Sequence, residues 1–120
     1  MKVKDVEALS QNDEVGVTGT SLPVGDGDGA WDPEKLYAAA LATCLHQAVV
    51  LAATTGDLDT SGSAVRARVT LNHENAQDYS IDAKLSITLP NVPGDRRADL
   101  LDQAVRHCPL VNGWSVDLED

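Results

Sequence analysis

Two side chains in this sequence suit nucleophilic or redox chemistry, Cys44 and Cys108. A thiolate attacks electrophilic sulfur or oxygen, and a pair of thiols can return to rest as a disulfide. Cys44 lies about ten residues into an apolar, alanine-rich stretch, and Cys108 directly precedes Pro109. Two readings stand side by side: a pair of inert, buried structural thiols, and a peroxide-reacting cysteine with a resolving partner. A metal site would need further ligands. His46, His73 and His107 are available, but no pair of Cys and His residues has a metal-binding spacing, so no metal is expected; no bound cofactor is expected either. His46 follows Cys44 by two positions, about 200° round a helix, and so faces another way. Arg66 and Arg68 fall on the polar face of a strand and are expected to be solvated.

These residues must be positioned by a core without phenylalanine. The 120 residues are 42% hydrophobic, enough for one domain, expected to span residues 1–120. The four aromatic residues are Trp31, Trp114, Tyr37 and Tyr79, so Ala, Val, Leu and Ile must fill the interior. A net charge of -10 repels phosphate and argues against nucleic acid or an anionic membrane as partner. The opening residues Met1-Lys2-Val3-Lys4-Asp5 carry no signal-peptide pattern, and a cytoplasmic location is expected.

Up to Val24 the chain reads as short strands, with Val3, Val6, Val15 and Val17 in alternating contexts and a turn at Gln11-Asn12-Asp13. Gly25 to Gly29 is an acidic loop. Asp32-Pro33-Glu34 begins a helix, with Asp32 as N-cap, Pro33 at N1 and Glu34 at the positive end of the dipole. Polar residues interrupt its apolar run from Leu36 to Ala53, so a buried helix is expected and not a membrane span. Gly56 is placed at C′. Because this helix is apolar almost all round, one sheet leaves a side that a second layer or a second subunit must cover. Residues 64–71 and 79–89 alternate as a hairpin about a turn at 72–78, with Val65, Ala67, Val69 and Leu71 inward. A second amphipathic helix runs from Asp95 to His107. Its polar side holds Arg96, Arg97, Asp102, Gln103 and Arg106. A last strand begins at Trp114. The order is that of an α+β domain.

The stretch from Asp32 to Cys44, DPEKLYAAALATC, resembles the Asn-Pro-Glu-x-Leu-(Phe/Tyr)-Ala-Ala-x-x-x-x-Cys signature of the OsmC/Ohr family, the osmotically inducible and organic hydroperoxide resistance proteins. His107-Cys108-Pro109-Leu110-Val111-Asn112 is similar to that family's second motif, and the elements between fall in the family's order. The resemblance runs from about Val15 to the end. It implies antiparallel sheets wrapped around central helices in an intertwined homodimer. It also implies a thiol peroxidase acting on organic hydroperoxides. Cys44 would be peroxidatic and Cys108 resolving. A dithiol, lipoyl-linked in the best-studied branch, would be the co-substrate that reduces the resulting disulfide. Glu34 matches the motif's glutamate and would support Cys44. Ten residues of helix separate the two by about 15 Å, so Glu34 is expected to act across the dimer, on the cysteine of the other chain.

In the Ohr branch an arginine pairs with that glutamate and holds the thiolate. Here no arginine precedes Arg66, which leaves Lys2, Lys4, His46 or an arginine of the partner as the cation. Leu110 and Val111 replace the polar residues common after the second motif. The competing expectation is a catalytically weak or inactive dimer that binds a small lipophilic ligand.

Overall fold

The computed structural model describes residues 1–75 and 78–119. They fall into two compact units that divide between Leu36 and Tyr37. The first holds a three-stranded antiparallel meander, β1 (Ala8–Gln11), β2 (Glu14–Val17) and β3 (Thr20–Pro23). Both of its turns have two residues, and all four turn residues take positive φ: Asn12 and Asp13 at 54° and 60°, Thr18 and Gly19 at 38° and 81°. This backbone matches the right-handed twist of the strands it joins. The first of these turns falls where the sequence places it. Val3 and Val6, however, belong to no strand, and Val3 is 86% exposed. Val3, Val6 and Leu9 recur every three residues, so no two-residue period gives them a common sheet face.

Helix α1 (Pro33–Thr55) begins as the sequence requires. The Asp32 carboxylate accepts the Lys35 backbone N–H at 2.7 Å, with Pro33 at the first helical position. The helix end differs from expectation. Leu58 N–H bonds the Ala53 carbonyl at 2.9 Å and Asp57 N–H bonds that of Thr54 at 3.3 Å. This is a Schellman closure whose left-handed residue is Asp57, at φ 53°, one place beyond Gly56. Aspartate tolerates that conformation, and the half-buried Leu58 packs against the core behind it.

The rest of the second unit is a sheet in the order β4 (Ala64–His73), β5 (Tyr79–Thr88) and β6 (Ser115–Glu119). β4 and β5 pair antiparallel from Ala64↔Thr88 to His73↔Tyr79, so Asn72 and His73 extend the strand into the expected turn. Residues 76 and 77 of that turn lie outside the described residues. β6 joins β5 in parallel after α2 (Gly94–His107) and a 3-10 turn, Pro109–Val111. A parallel neighbour needs a crossover of this length, here supplied by α2.

The core collects one stripe of α1 (Leu41, Leu45, Ala48, Val49, Ala52, Ala53), Ala83, Leu85 and Ile87 of β5, and Leu100 and Ala104 of α2. Arg97 is only partly on the polar side expected for it: it is half-buried, and its Nε donates to the Val92 carbonyl at 2.9 Å. The inward alternation of the hairpin fades toward its tip, where Leu71 and Ile81 are exposed. α1 is long and apolar enough to cross a membrane, but its buried stripe makes it the core helix of this unit. Among the described residues, its other face is left uncovered. Ala39, Ala40, Thr43, Gln47, Val50 and Leu51 are exposed, Leu51 at 64%.

Candidate active site

Cys44 enters the site from α1. Leu41, Leu45 and Ala48 around it are buried, and Cys44 itself is half-buried at the margin of the core. Cys108 enters as the residue at which α2 stops. Pro109 cannot continue the helix, and Cys108 turns to an extended conformation at φ -109°, ψ 102°. Its N–H bonds back to the Val105 carbonyl, and Val111 is buried immediately beyond, at 1% exposure. The outcome is a meeting of sulfurs. Cys108 Sγ donates to Cys44 Sγ at 2.7 Å, and both are free thiols.

The two thiols have different surroundings. Cys108 is 1% exposed. Burial pushes its pKa up to about 11, the hydrogen bond to Cys44 adds to the rise, and the Leu110 and Val111 backbone groups act in the opposite direction. It is therefore held as a neutral thiol near neutral pH. Cys44 is the more accessible of the two.

Glu34 is half-buried in the first turn of α1, ten residues before Cys44 on the same continuous helix. Of the expected cations, Lys2 pairs with Asp5 at 3.2 Å on the surface. His46 is half-buried, with Nε2 2.9 Å from Ser63 Oγ. It lines an open cavity of about 480 Å³ with Thr43, Gln47, Val50, Leu51 and Thr54, on the uncovered face of α1. Among the described residues no group of three His, Cys, Asp or Glu side chains could hold a metal ion.

Sequence reasoning did not find one contact in this region. Trp114 Nε1 donates to Tyr37 Oη at 2.8 Å. The spacing places only Tyr37: it precedes Cys44 by seven residues, two turns of helix, and so shares its stripe.

The family model described as OsmC-like protein matches residues 25–114, three quarters of the chain. The chain belongs to the OsmC-like protein family. Both cysteines and Glu34 lie within the matched OsmC-like span. Solved structures share the α+β fold at low identity. An organic hydroperoxide resistance protein from Elizabethkingia anophelis, with thiocyanate bound, is 20% identical with a TM-score of 0.85, covering 99% of this chain and 98% of that one. An organic hydroperoxide resistance protein from Vibrio cholerae, described with captopril bound in one of its active sites, is 18% identical with a TM-score of 0.85, covering 98% and 93%. The organic hydroperoxide resistance protein OhrB of Bacillus subtilis is 20% identical with a TM-score of 0.72, covering 96% and 95%. No curated protein gives a match.

Proposed function

We propose that the protein is a thiol-dependent peroxidase that reduces organic hydroperoxides through a Cys44–Cys108 disulfide cycle. The observation that carries the reading is the 2.7 Å contact between an accessible thiol and one that burial keeps protonated. Cys44, as thiolate, attacks the terminal peroxide oxygen. The O–O bond breaks, the alkoxide leaves and takes a proton to become the alcohol, and Cys44 is oxidised to a sulfenic acid. Cys108 then attacks the Cys44 sulfur. The S–O bond breaks, the hydroxide leaves with the proton of the Cys108 thiol as water, and the disulfide closes. Cys108 attacks as a thiolate, so with its raised pKa the loss of its proton to the departing hydroxide is part of this step. A dithiol co-substrate reduces the disulfide by two thiol–disulfide exchanges and leaves as its own cyclic disulfide.

The reading includes a homodimer in a reducing cytoplasm. The uncovered apolar face of α1 supports the dimer, since a patch containing Val50 and Leu51 is unfavourable in water. Glu34 would then support the Cys44 of the second copy, where its own helix cannot bring it to Cys44. The organic hydroperoxide resistance proteins that share the fold support the substrate class.

The test is consumption of cumene hydroperoxide by catalytic amounts of protein, followed with ferrous iron and xylenol orange. With dithiothreitol as reductant, turnover well above the protein-free rate is expected. Consumption no faster than dithiothreitol alone would leave the competing reading, a lipophilic-ligand-binding dimer.

A further inference from the structure

The segment that follows Cys108 touches α1 at two points. Cys108 Sγ meets Cys44, and six residues later the Trp114 indole meets Tyr37, seven residues back along the helix. Between these points the chain is short and tightly built: the 3-10 turn Pro109–Val111, the buried Val111, the bond from Trp114 N–H to the Val111 carbonyl at 3.0 Å, and Gly113 at φ 92°. From the two contacts we infer that the Tyr37–Trp114 hydrogen bond is a latch, holding the Cys108 turn against α1 while Cys44 carries an added atom or group. Tyr37 and Trp114 are positioning residues. Neither needs to touch the peroxide.

The physical need for a second contact arises only during the reaction. In the resting pair the sulfurs already meet, and Val111 of the turn is buried. Once Cys44 carries an oxygen or a mixed-disulfide group, that group occupies the space where Cys108 Sγ sat. The thiol contact is lost and the turn is pushed outward. Cys108 must still return for in-line attack, and the closed fraction at that moment sets the rate of disulfide closure. A hydrogen bond that survives the displacement raises that fraction. Both rings are half-buried against the core, so the bond is made where water competes poorly. Loss of one such bond corresponds to a reduction of about three- to tenfold in the closed fraction.

The inference rests on the peroxidase reading for its biological meaning, but its test does not need a peroxide. Reduced protein is treated with excess 5,5′-dithiobis(2-nitrobenzoate). In a first phase the Cys44 thiolate displaces one thionitrobenzoate and becomes a mixed disulfide. In a second, Cys108 attacks the Cys44 sulfur, releases the other thionitrobenzoate and closes the protein disulfide. For Tyr37→Phe, which deletes only the hydroxyl, the first phase is expected to keep its rate and the second to slow about three- to tenfold. Trp114→Phe should slow the second phase similarly, and the double variant should be no slower than either single one, since both remove one bond. Thermal melts run in parallel identify general loosening, which would change both phases and add up in the double variant. An unchanged second phase in Tyr37→Phe, additive losses, or a wild-type protein that releases no second thionitrobenzoate by closing Cys44 to Cys108 would each overturn the latch. If the wild-type protein closes this disulfide but does not consume cumene hydroperoxide, the peroxidase reading fails and the latch stands.

Discussion

If the proposed peroxidase cycle holds, replacing Cys44 with serine is expected to abolish hydroperoxide consumption, while replacing Cys108 with serine is expected to spare the first turnover and then inactivate the protein. The difference follows from which sulfur is accessible. Cys44 lies at the margin of the core, and Cys108 is buried behind it. Without Cys44 no nucleophile reaches the O–O bond, and a serine hydroxyl is far too weak a nucleophile to replace it. Without Cys108 the sulfenic acid still forms but has no resolving thiol to condense with. A second hydroperoxide then carries Cys44 to the sulfinic acid, which dithiols do not reverse. The check is intact mass after a few equivalents of cumene hydroperoxide. Cys108→Ser should gain two oxygen atoms and Cys44→Ser should gain none. Equal partial losses of activity in both variants would contradict the assigned roles.

The second large effect concerns pH. Burial and the neighbouring Cys44 hold the Cys108 pKa at about 11. A raised thiol pKa means that the thiolate is scarce below it, so alkylation of Cys108 should climb about tenfold per pH unit and level off only near pH 11. At pH 8 its thiolate fraction is on the order of a hundredfold below that of an unstructured cysteine. Site-resolved labelling with iodoacetamide, read by peptide mass, separates it from Cys44. Labelling of Cys108 that levels off near the ordinary thiol range, about pH 8.5, would show that burial does not govern it.

How much of this was legible in the sequence depends on the range of the interaction. The start of α1 was written locally: Asp32 caps Lys35, and Pro33 fits the first turn. The hairpin alternation gave the inward residues from Val65 to Val69. The thiol pair was legible only as two motifs, because nothing in local spacing measures a contact between α1 and the end of α2. The parallel placement of β6 was missed for a similar reason. Strand direction is fixed by the α2 crossover and not by the alternation of Trp114 to Leu118. The exchange of Gly56 for Asp57 as the left-handed residue turns on where Leu58 enters the core. The Tyr37–Trp114 bond joins residues too distant in sequence for pattern reading, although scarcity offered a hint. Two of only four aromatic side chains in a core without phenylalanine are used on it.

That core also explains the exposed face of α1. Alanines at 39 and 40 give a flat surface suited to close approach by another element, and Val50 and Leu51 extend it. The acidic charge of the chain does not stabilise a thiolate, and Lys2 and His46 already hold partners in Asp5 and Ser63. The proposed dimer offers a further arrangement, a cation contributed to Cys44 by a second copy.

The most direct measurement is a thiol count. Reduced protein, with two free thiols per chain, is mixed with one equivalent of cumene hydroperoxide and quenched within minutes. The account predicts loss of both thiols together and a single cross-linked peptide joining Cys44 to Cys108. Retention of both thiols, or oxidation of Cys44 with Cys108 left free, would contradict it.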